Sequence, residues 1–396
     1  MACPICETTN YTRLDYRARV PILQNRVWPT VEAAKAAPSG VLDMVKCDTC
    51  GFAWNQAFDE SLMKYDPDYD NDQAQSGAFR SHMASMADRV VAGLTNRAAN
   101  LVEIGCGQAA FIEVLAPKLP EEMSLFGFDP SWRGKDGAGP HHSKIYCRYF
   151  EPDTASLLPS GAQFIVARHT IEHISDPVAF LRAIRGMILN TDGARLFLET
   201  PDIDWVVSNL QVQDIFYEHC SIFSRSSFVV ALQRAGFDLV SIENVFGGQY
   251  FWVEAKPTLQ SASVANINPH QEGAGEFESR VGSIVNSWRS FVKKSDRPVY
   301  LWGAASKGVT FALLLGGDGL AGVVDINQKK IGKFLPITGL PVISVDDLPD
   351  GSSVVIMNPN YTDEIAKMTL GKDGLSLFVL SNQGVISPVS VISPVT

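Results

Sequence analysis

The stretch Asn100-Leu-Val-Glu103-Ile-Gly105-Cys106-Gly107 decides the fold. A short apolar run ends in an acid and two glycines, and Ala109 to Leu119 then takes up helical spacing. A strand that closes on a glycine turn and feeds a helix is the opening unit of an α/β sheet. Its glycines let the backbone approach a ligand closely. The next strand, Ser124-Leu-Phe-Gly-Phe-Asp129, ends in an acid 26 residues after Glu103, where a carboxylate can accept both hydroxyls of a ribose. Alanine at 110 breaks the full G-x-G-x-x-G spacing, and no Gly-Lys-Ser/Thr follows. A nucleoside without phosphates therefore suits the turn; an ordinary strand-to-helix turn is the bland alternative.

Further strands read at Gln163-Phe-Ile-Val-Ala-Arg168 and Ala194-Arg-Leu-Phe-Leu-Glu199, with a helix from Pro177 to Leu189 between them. Upstream, Phe79, Met83, Met86, Val90 and Leu94 give helical spacing from Ser76 to Ala98. This alternation predicts a parallel sheet with right-handed crossovers. A polar linker at 256–275 separates it from a second unit of the same kind. That unit opens on a helix from Phe277 to Lys293 and the strand-turn-helix Pro298-Val-Tyr-Leu-Trp-Gly303-Ala-Ala-Ser-Lys307-Gly308. Strands ending at Asp325, Met357 and Leu380 follow. The tail repeats Val-Ile-Ser-Pro-Val at 385–389 and 391–395; no function attaches to it.

Before the first unit, four of the seven cysteines form two Cys-x-x-Cys knuckles, Cys3/Cys6 and Cys47/Cys50. The first 60 residues hold too few apolar side chains for a core and need a staple. Four thiolates suit tetrahedral Zn²⁺ and leave no open position, so the expected zinc is structural; unrelated thiols or redox pairs are the alternative. Zinc ribbons often bind nucleic acid, but 33 basic against 43 acidic residues, a net charge of −10, argues against it. No apolar run approaches a membrane span, and no leader is visible, so a cytoplasmic protein with reduced thiols is expected. The 396 residues suggest two or three domains, and 46% apolar with 19% charged residues excludes overall disorder.

The segment Arg168-His169-Thr170-Ile171-Glu172-His173-Ile174-Ser175-Asp176-Pro177, after its strand, resembles the fourth-strand region of class I S-adenosylmethionine methyltransferases. Glu103, Gly105, Gly107 and Asp129 stand in the matching order. The resemblance implies that Gly105 and Gly107 approach the methionine part of the cofactor, with Glu103 and Cys106 also at the cofactor site. It further implies that Asp129-Pro130 hold the ribose, and that His169 lies nearby. Glu172 and His173 read as helix-capping and packing residues. With the knuckles and the C-terminal motifs Trp302–Gly308, Val324–Lys333 and Met357–Tyr361, the chain resembles the three-domain sugar C-methyltransferases. These carry a zinc module, here 1–60, a methyltransferase core, 61–255, and a Rossmann-like substrate-binding domain, 276–396.

That family implies carbon methylation of a nucleotide-linked keto-deoxysugar through an enolate. The stretch Tyr217-Glu218-His219-Cys220-Ser221-Ile222-Phe223-Ser224 matches its active-site segment, with tyrosine where the family has histidine. His219 would be the base, Glu218 its partner or a substrate ligand, and Tyr217 a donor to the enolate oxygen; a packing histidine is the alternative for His219. Tyr65 and Tyr69 would fold over the site, and Lys307 would lie near a phosphate. Cys147 and Cys220 read as packing thiols. Three rival functions stand beside this one. The first is O- or N-methylation of another small metabolite. The second is a non-catalytic zinc-ribbon binding protein. The third is a nicotinamide dehydrogenase using Asp325 of the second turn.

Overall fold

The computed structural model describes residues 2–63, 73–96, 98–158, 161–258, 274–380 and 386–389. Tyr65 and Tyr69, most of the 256–275 linker and most of the tail repeat lie outside them. Strand β1 (Tyr11–Pro21) pairs antiparallel with β2 (Ser39–Cys47), and β2 pairs with β3 (Ala53–Asn55). The core unit then runs through β4 (Asn100–Ile104), β5 (Ser124–Phe128), β6 (Lys144–Tyr146), β7 (Phe164–Arg168) and β8 (Arg195–Pro201). Next comes β9 (Ser221–Ile222), which leaves this sheet to pair with β3, before the hairpin β10 (Phe237–Val245) and β11 (Tyr250–Pro257).

The seven-stranded sheet has the order β6-β5-β4-β7-β8-β11-β10. It is parallel up to β8, while β11 runs antiparallel to both neighbours. All five residues of β7 are buried, as expected for a strand covered on both faces. The helix expected over 76–98 is Gly77–Ala92, capped by the Ser76 hydroxyl, which accepts from the Phe79 N–H at 3.2 Å. The helix expected over 109–119 is Ala110–Leu115, tightening to a 3₁₀ turn at Ala116–Lys118; Pro117 has no N–H to continue an α-helix.

The C-terminal unit packs the helix Ala274–Lys294 against a five-stranded parallel sheet. Its strands are β12 (Val299–Trp302), β13 (Leu320–Val324), β14 (Val342–Ile343), β15 (Ser353–Ile356) and β16 (Ser376–Val379), in the order β14-β13-β12-β15-β16. The winding reverses at β12, so a crevice opens at its C-terminal end.

The three stretches are interlocked. β9 from the central stretch completes the N-terminal sheet. One apolar cluster joins Leu14 and Leu42 to Ile203 and to Trp288 and Val309. Across the two α/β units, the Glu364 carboxylate accepts from the Ser76 hydroxyl at 2.6 Å and the Gly77 N–H at 2.7 Å, capping the Gly77–Ala92 helix from outside. Among the described residues, no helix is long and apolar enough to cross a membrane.

Candidate active site

The turn after β4 requires its glycines. Gly105 sits at φ +73°, and a Cβ there would lie 2.1 Å from Thr170 Oγ1. The Asp129 carboxylate, at the end of β5, accepts the Gly107 N–H at 2.7 Å and the Ser131 N–H at 2.7 Å. The Ser131 hydroxyl also donates to Asp129 Oδ1 at 2.6 Å, so Oδ2 is the oxygen that keeps a lone pair for a further hydroxyl. A cavity of about 610 Å³ opens here, walled by the aromatic rings of Phe128 and Phe150. Its lining includes Glu103, Gly105, Cys106, Gly107, Asp129, Pro130 and His169, every residue expected at the cofactor.

A row of charge crosses the floor of this cavity. Arg168 and Glu199 are register partners on β7 and β8, and Arg168 Nε donates to Glu199 Oε2 at 2.7 Å. His82 Nε2 bonds the other oxygen of Glu199. Glu103, on the same face of β4, is buried, and burial pushes its carboxyl up to about 8 while the Arg168 charge pulls the other way. The charges of Arg168, His169 and His82 outweigh burial for Glu199 and hold it well below the usual carboxylate range. Nothing in the motif reading singled out Arg168, Glu199 or His82. The available signal was a charged residue closing an otherwise apolar strand at positions 168 and 199.

A second cavity of about 230 Å³ shares His169 and His173 with the first and lies between the two α/β units. One wall carries Glu172, Asp214, His219 and Tyr250; the other carries Gly303, Lys307, Asp325 and Asn358. His169 stands at the junction in the left-handed region at φ +49°, the kind of strain that concentrates at functional sites. The His219 ring packs at 3.9 Å from Phe216 and edge-on at 5.0 Å from His173. Its Nδ1 is buried with no hydrogen-bond partner among the described residues. Burial, then the neighbouring His173, His169 and Lys307 charges, push the His219 pKa well below its ordinary value. Burial lowers His173 as well, against the pull of Glu172. Both imidazoles are thus neutral near pH 7.

The other two expected catalytic groups face elsewhere. The Tyr217 hydroxyl accepts the Asp59 N–H at 2.9 Å, and its ring lies against Gly40 and Phe58. The Glu218 carboxylate accepts the Gln24 N–H at 2.6 Å. Neither lines either of these two cavities. The chain here turns into β9, so Tyr217 and Glu218 pack on the N-terminal module while His219 points into the cavity. Glu172 and His173, read from sequence as capping and packing residues, line the second cavity. The capping falls to Asp176, whose Oδ1 accepts the Ala179 N–H at 2.9 Å.

Lys307 reaches the second cavity, where its ammonium pairs with the Asp214 carboxylate. Burial lowers the Lys307 pKa and Asp214 raises it. The helix that Lys307 helps to start, Ser306–Leu315, has no side chain capping its N-terminus. Gly308 is required there, since a Cβ would lie 1.9 Å from the Gly303 carbonyl oxygen. In the N-terminal module, Cys3 and Cys50 sulfurs lie 3.6 Å apart and Cys6 and Cys47 sulfurs 3.5 Å apart, all four within 4.8 Å. A tetrahedron with Zn–S near 2.3 Å has edges of about 3.8 Å, so the four sulfurs fit a zinc ion.

Residues 79–242 match the model of a methyltransferase domain, and residues 262–374 match that of a C-methyltransferase C-terminal domain. The chain is 24% identical over 320 residues to the C-methyltransferase NovU of Streptomyces niveus, covering 74% of each chain. Among solved structures, it is similar to the magnesium protoporphyrin IX methyltransferase ChlM of Synechocystis PCC 6803 with bound SAM. That likeness has 12% identity and a TM-score of 0.32, over 45% of this chain and 79% of the other. It is also similar to the mitomycin 7-O-methyltransferase MmcR at 16% identity and a TM-score of 0.34, over 45% of this chain. The chain spans only 55% of the length of MmcR.

Proposed function

We propose that this chain is an S-adenosylmethionine-dependent C-methyltransferase that methylates the carbon beside the ketone of a nucleotide-linked deoxysugar. The observation that carries this reading is the junction of the two cavities. The neutral imidazole of His219 faces the second cavity within ring contact of His173, which the cofactor cavity shares.

The residues of the first cavity fit the cofactor. Asp129 Oδ2 keeps a lone pair for a ribose hydroxyl, the turn brings backbone close, and buried Glu103 Oε2 and Arg168 Nη2 lack partners among the described residues. Bound there, S-adenosylmethionine supplies an electrophilic methyl group on a sulfonium. His219 would take the proton from the substrate carbon, leaving a carbon nucleophile that would accept the methyl group as the methyl–sulfur bond breaks and its electron pair stays on the sulfur of S-adenosylhomocysteine. Phe216 and His173 hold the imidazole ring. Burial keeps it unprotonated and ready to accept, at some cost in basicity. Lys307 and the uncapped N-terminus of the Ser306–Leu315 helix offer positive potential for the phosphates of the substrate's nucleotide. Tyr217 and Glu218 hold the segment that carries His219 and touch no reacting atom. Cys3, Cys6, Cys47 and Cys50 bind a structural Zn²⁺.

Exchange of the substrate's α-proton in deuterium oxide, with S-adenosylhomocysteine bound, tests the reading. Exchange in the native chain and its loss in His219→Ala, with turnover down ~10²-fold or more, support carbon methylation. A product methylated on oxygen or nitrogen, without exchange, overturns it.

A further inference from the structure

Glu172, His173 and His219 meet where the two cavities join, and all three line the second. One oxygen of the carboxylate and one nitrogen of each imidazole lie within 4.8 Å of one another. Glu172 is fully buried. Its Oε2 accepts from the Thr200 hydroxyl at 3.1 Å, while Oε1 has no hydrogen-bond partner among the described residues. His169 Nδ1 stands 3.4 Å from Oε1 and makes no hydrogen bond to it. His219 Nδ1 is likewise buried without a partner. Buried polar atoms left unanswered are costly, a charged one most of all. The capping read from sequence for Glu172 and His173 falls to Asp176, and the methyl transfer gives Glu172 no task.

We propose that Glu172 Oε1, His219 Nδ1 and a ring nitrogen of His173 form a three-ligand site for a borderline divalent cation of the Zn²⁺ type. The donor set decides the class of ion: imidazole suits zinc and its neighbours, whereas Mg²⁺ and Ca²⁺ take oxygen. Bonds of about 2.1 Å need ligand atoms about 3 to 4 Å apart, so a small closure of the three side chains completes the site. Two of the ligands are already held from behind, as metal ligands are. Thr200 fixes the far oxygen of Glu172, and the His173 ring hydrogen-bonds to the Glu218 backbone. The Lys307 ammonium on the opposite wall is paired with Asp214.

On the reading of His219 as the base, such a cation is a switch. A neutral imidazole has one lone pair. With a cation on Nδ1 the ring proton stands on Nε2, and no lone pair is left to take a proton from the substrate. The cation binds without transfer of electrons, so its withdrawal restores the base.

Cobalt binding tests the site. The chain is loaded with Zn²⁺ at its four cysteines and then titrated with Co²⁺. A further equivalent should bind with the visible absorption of nitrogen and oxygen ligands and no thiolate charge-transfer band, and excess Mg²⁺ should not compete. Glu172→Gln and His173→Asn should each weaken it by about 100-fold, and Thr200→Val by about 10-fold. No further equivalent, a thiolate band alone, or equal affinity in the native chain and the two ligand variants overturns the proposal. If the ligand variants do not fold, Thr200→Val, which keeps the shape of the side chain, decides: unchanged affinity there overturns the site. Exchange of the substrate's α-proton should fall as cobalt fills the site and return when the cobalt is withdrawn. Exchange that persists at full occupancy overturns the switch. Exchange absent from the cobalt-free chain counts instead against carbon methylation, and the cobalt titration still decides the site.

Discussion

At the end of β4, the Gly107 N–H donates to Asp129 Oδ2 at 2.7 Å; at the end of β12, the Ala304 N–H donates to Asp325 Oδ2 at 2.6 Å. The second oxygen of each aspartate accepts the N–H two residues further on, at 2.7 Å for Ser131 and 2.8 Å for Asn327. The two glycine turns are thus wired alike. Their surroundings differ. Aligned on Gly105 and Gly303, the position of Glu103 is taken by Leu301, and the strand-end position of Arg168 by Met357, both buried. The nearby cation of the second turn, Lys307, is paired with Asp214, and Lys330 Nζ donates to the Ala304 carbonyl at 2.9 Å. The aspartate-to-turn hydrogen bonds therefore belong to the fold. What differs is the strand residues beside the first turn, where the ionisable Glu103 and Arg168, with Oε2 and Nη2 lacking partners among the described residues, stand in the places of Leu301 and Met357.

The sharpest way to separate the two regions is to remove the zinc proposed at Cys3, Cys6, Cys47 and Cys50. His219 hangs just before β9, which pairs with the N-terminal sheet, whereas the first cavity is built mostly from the core unit, with Phe58, Glu60 and Met63 of the N-terminal stretch also in its lining. Stripping the metal with a chelator should cut turnover by ~10²-fold or more, as if the base were lost. Affinity for S-adenosylhomocysteine should stay within a few-fold by calorimetry. Parallel loss of both would show that the first cavity also depends on the N-terminal module.

Asp129→Ala and Asp325→Ala test the two turns directly. The first should weaken S-adenosylhomocysteine by about 10- to 100-fold, the worth of charge-assisted hydrogen bonds. The second should leave that affinity unchanged. NADH affinity that disappears with Asp325→Ala would instead make the second turn a cofactor site in its own right and erase the contrast. A smaller effect is expected at Lys307→Met: a roughly 10-fold rise in KM for a phosphate-bearing substrate, with cofactor affinity untouched. An unchanged KM would leave Asp214 as the sole use of that lysine.

The first turn could be read from residues 100–107 and 129, because close backbone approach restricts which residues can stand there. The four-cysteine cluster was equally legible, since thiolate spacing along the chain constrains spacing in space. Tyr217 and Glu218 were not, because the direction of a side chain in a turn depends on what it packs against. The N-terminal sheet that receives them is assembled from residues more than 150 positions away. Lys307 lines the second cavity, but its partner Asp214, 93 residues earlier, carries no local signature. The charge row was hidden for the same reason: it exists only across three strands placed side by side by the sheet order.

That row gives the smallest and most specific prediction. Glu103 has an ordinary pKa of 4.5 and sits near 8 in the fold. Below pH 4.5 it is protonated in both folded and unfolded chains and has no effect on stability. Between 4.5 and 8 the unfolded chain gives up the proton while the folded chain keeps it. The folded state then binds more protons, and its stability falls as pH rises. Above 8 both states are ionised and the full penalty persists. Glutamine does not titrate, so the Tm of Glu103→Gln should gain on the native chain from pH 5 to pH 8 and level off beyond. The gain should amount to a few degrees. A difference independent of pH would mean that Glu103 is already answered within the protein, and the first turn would then be as self-contained as the second.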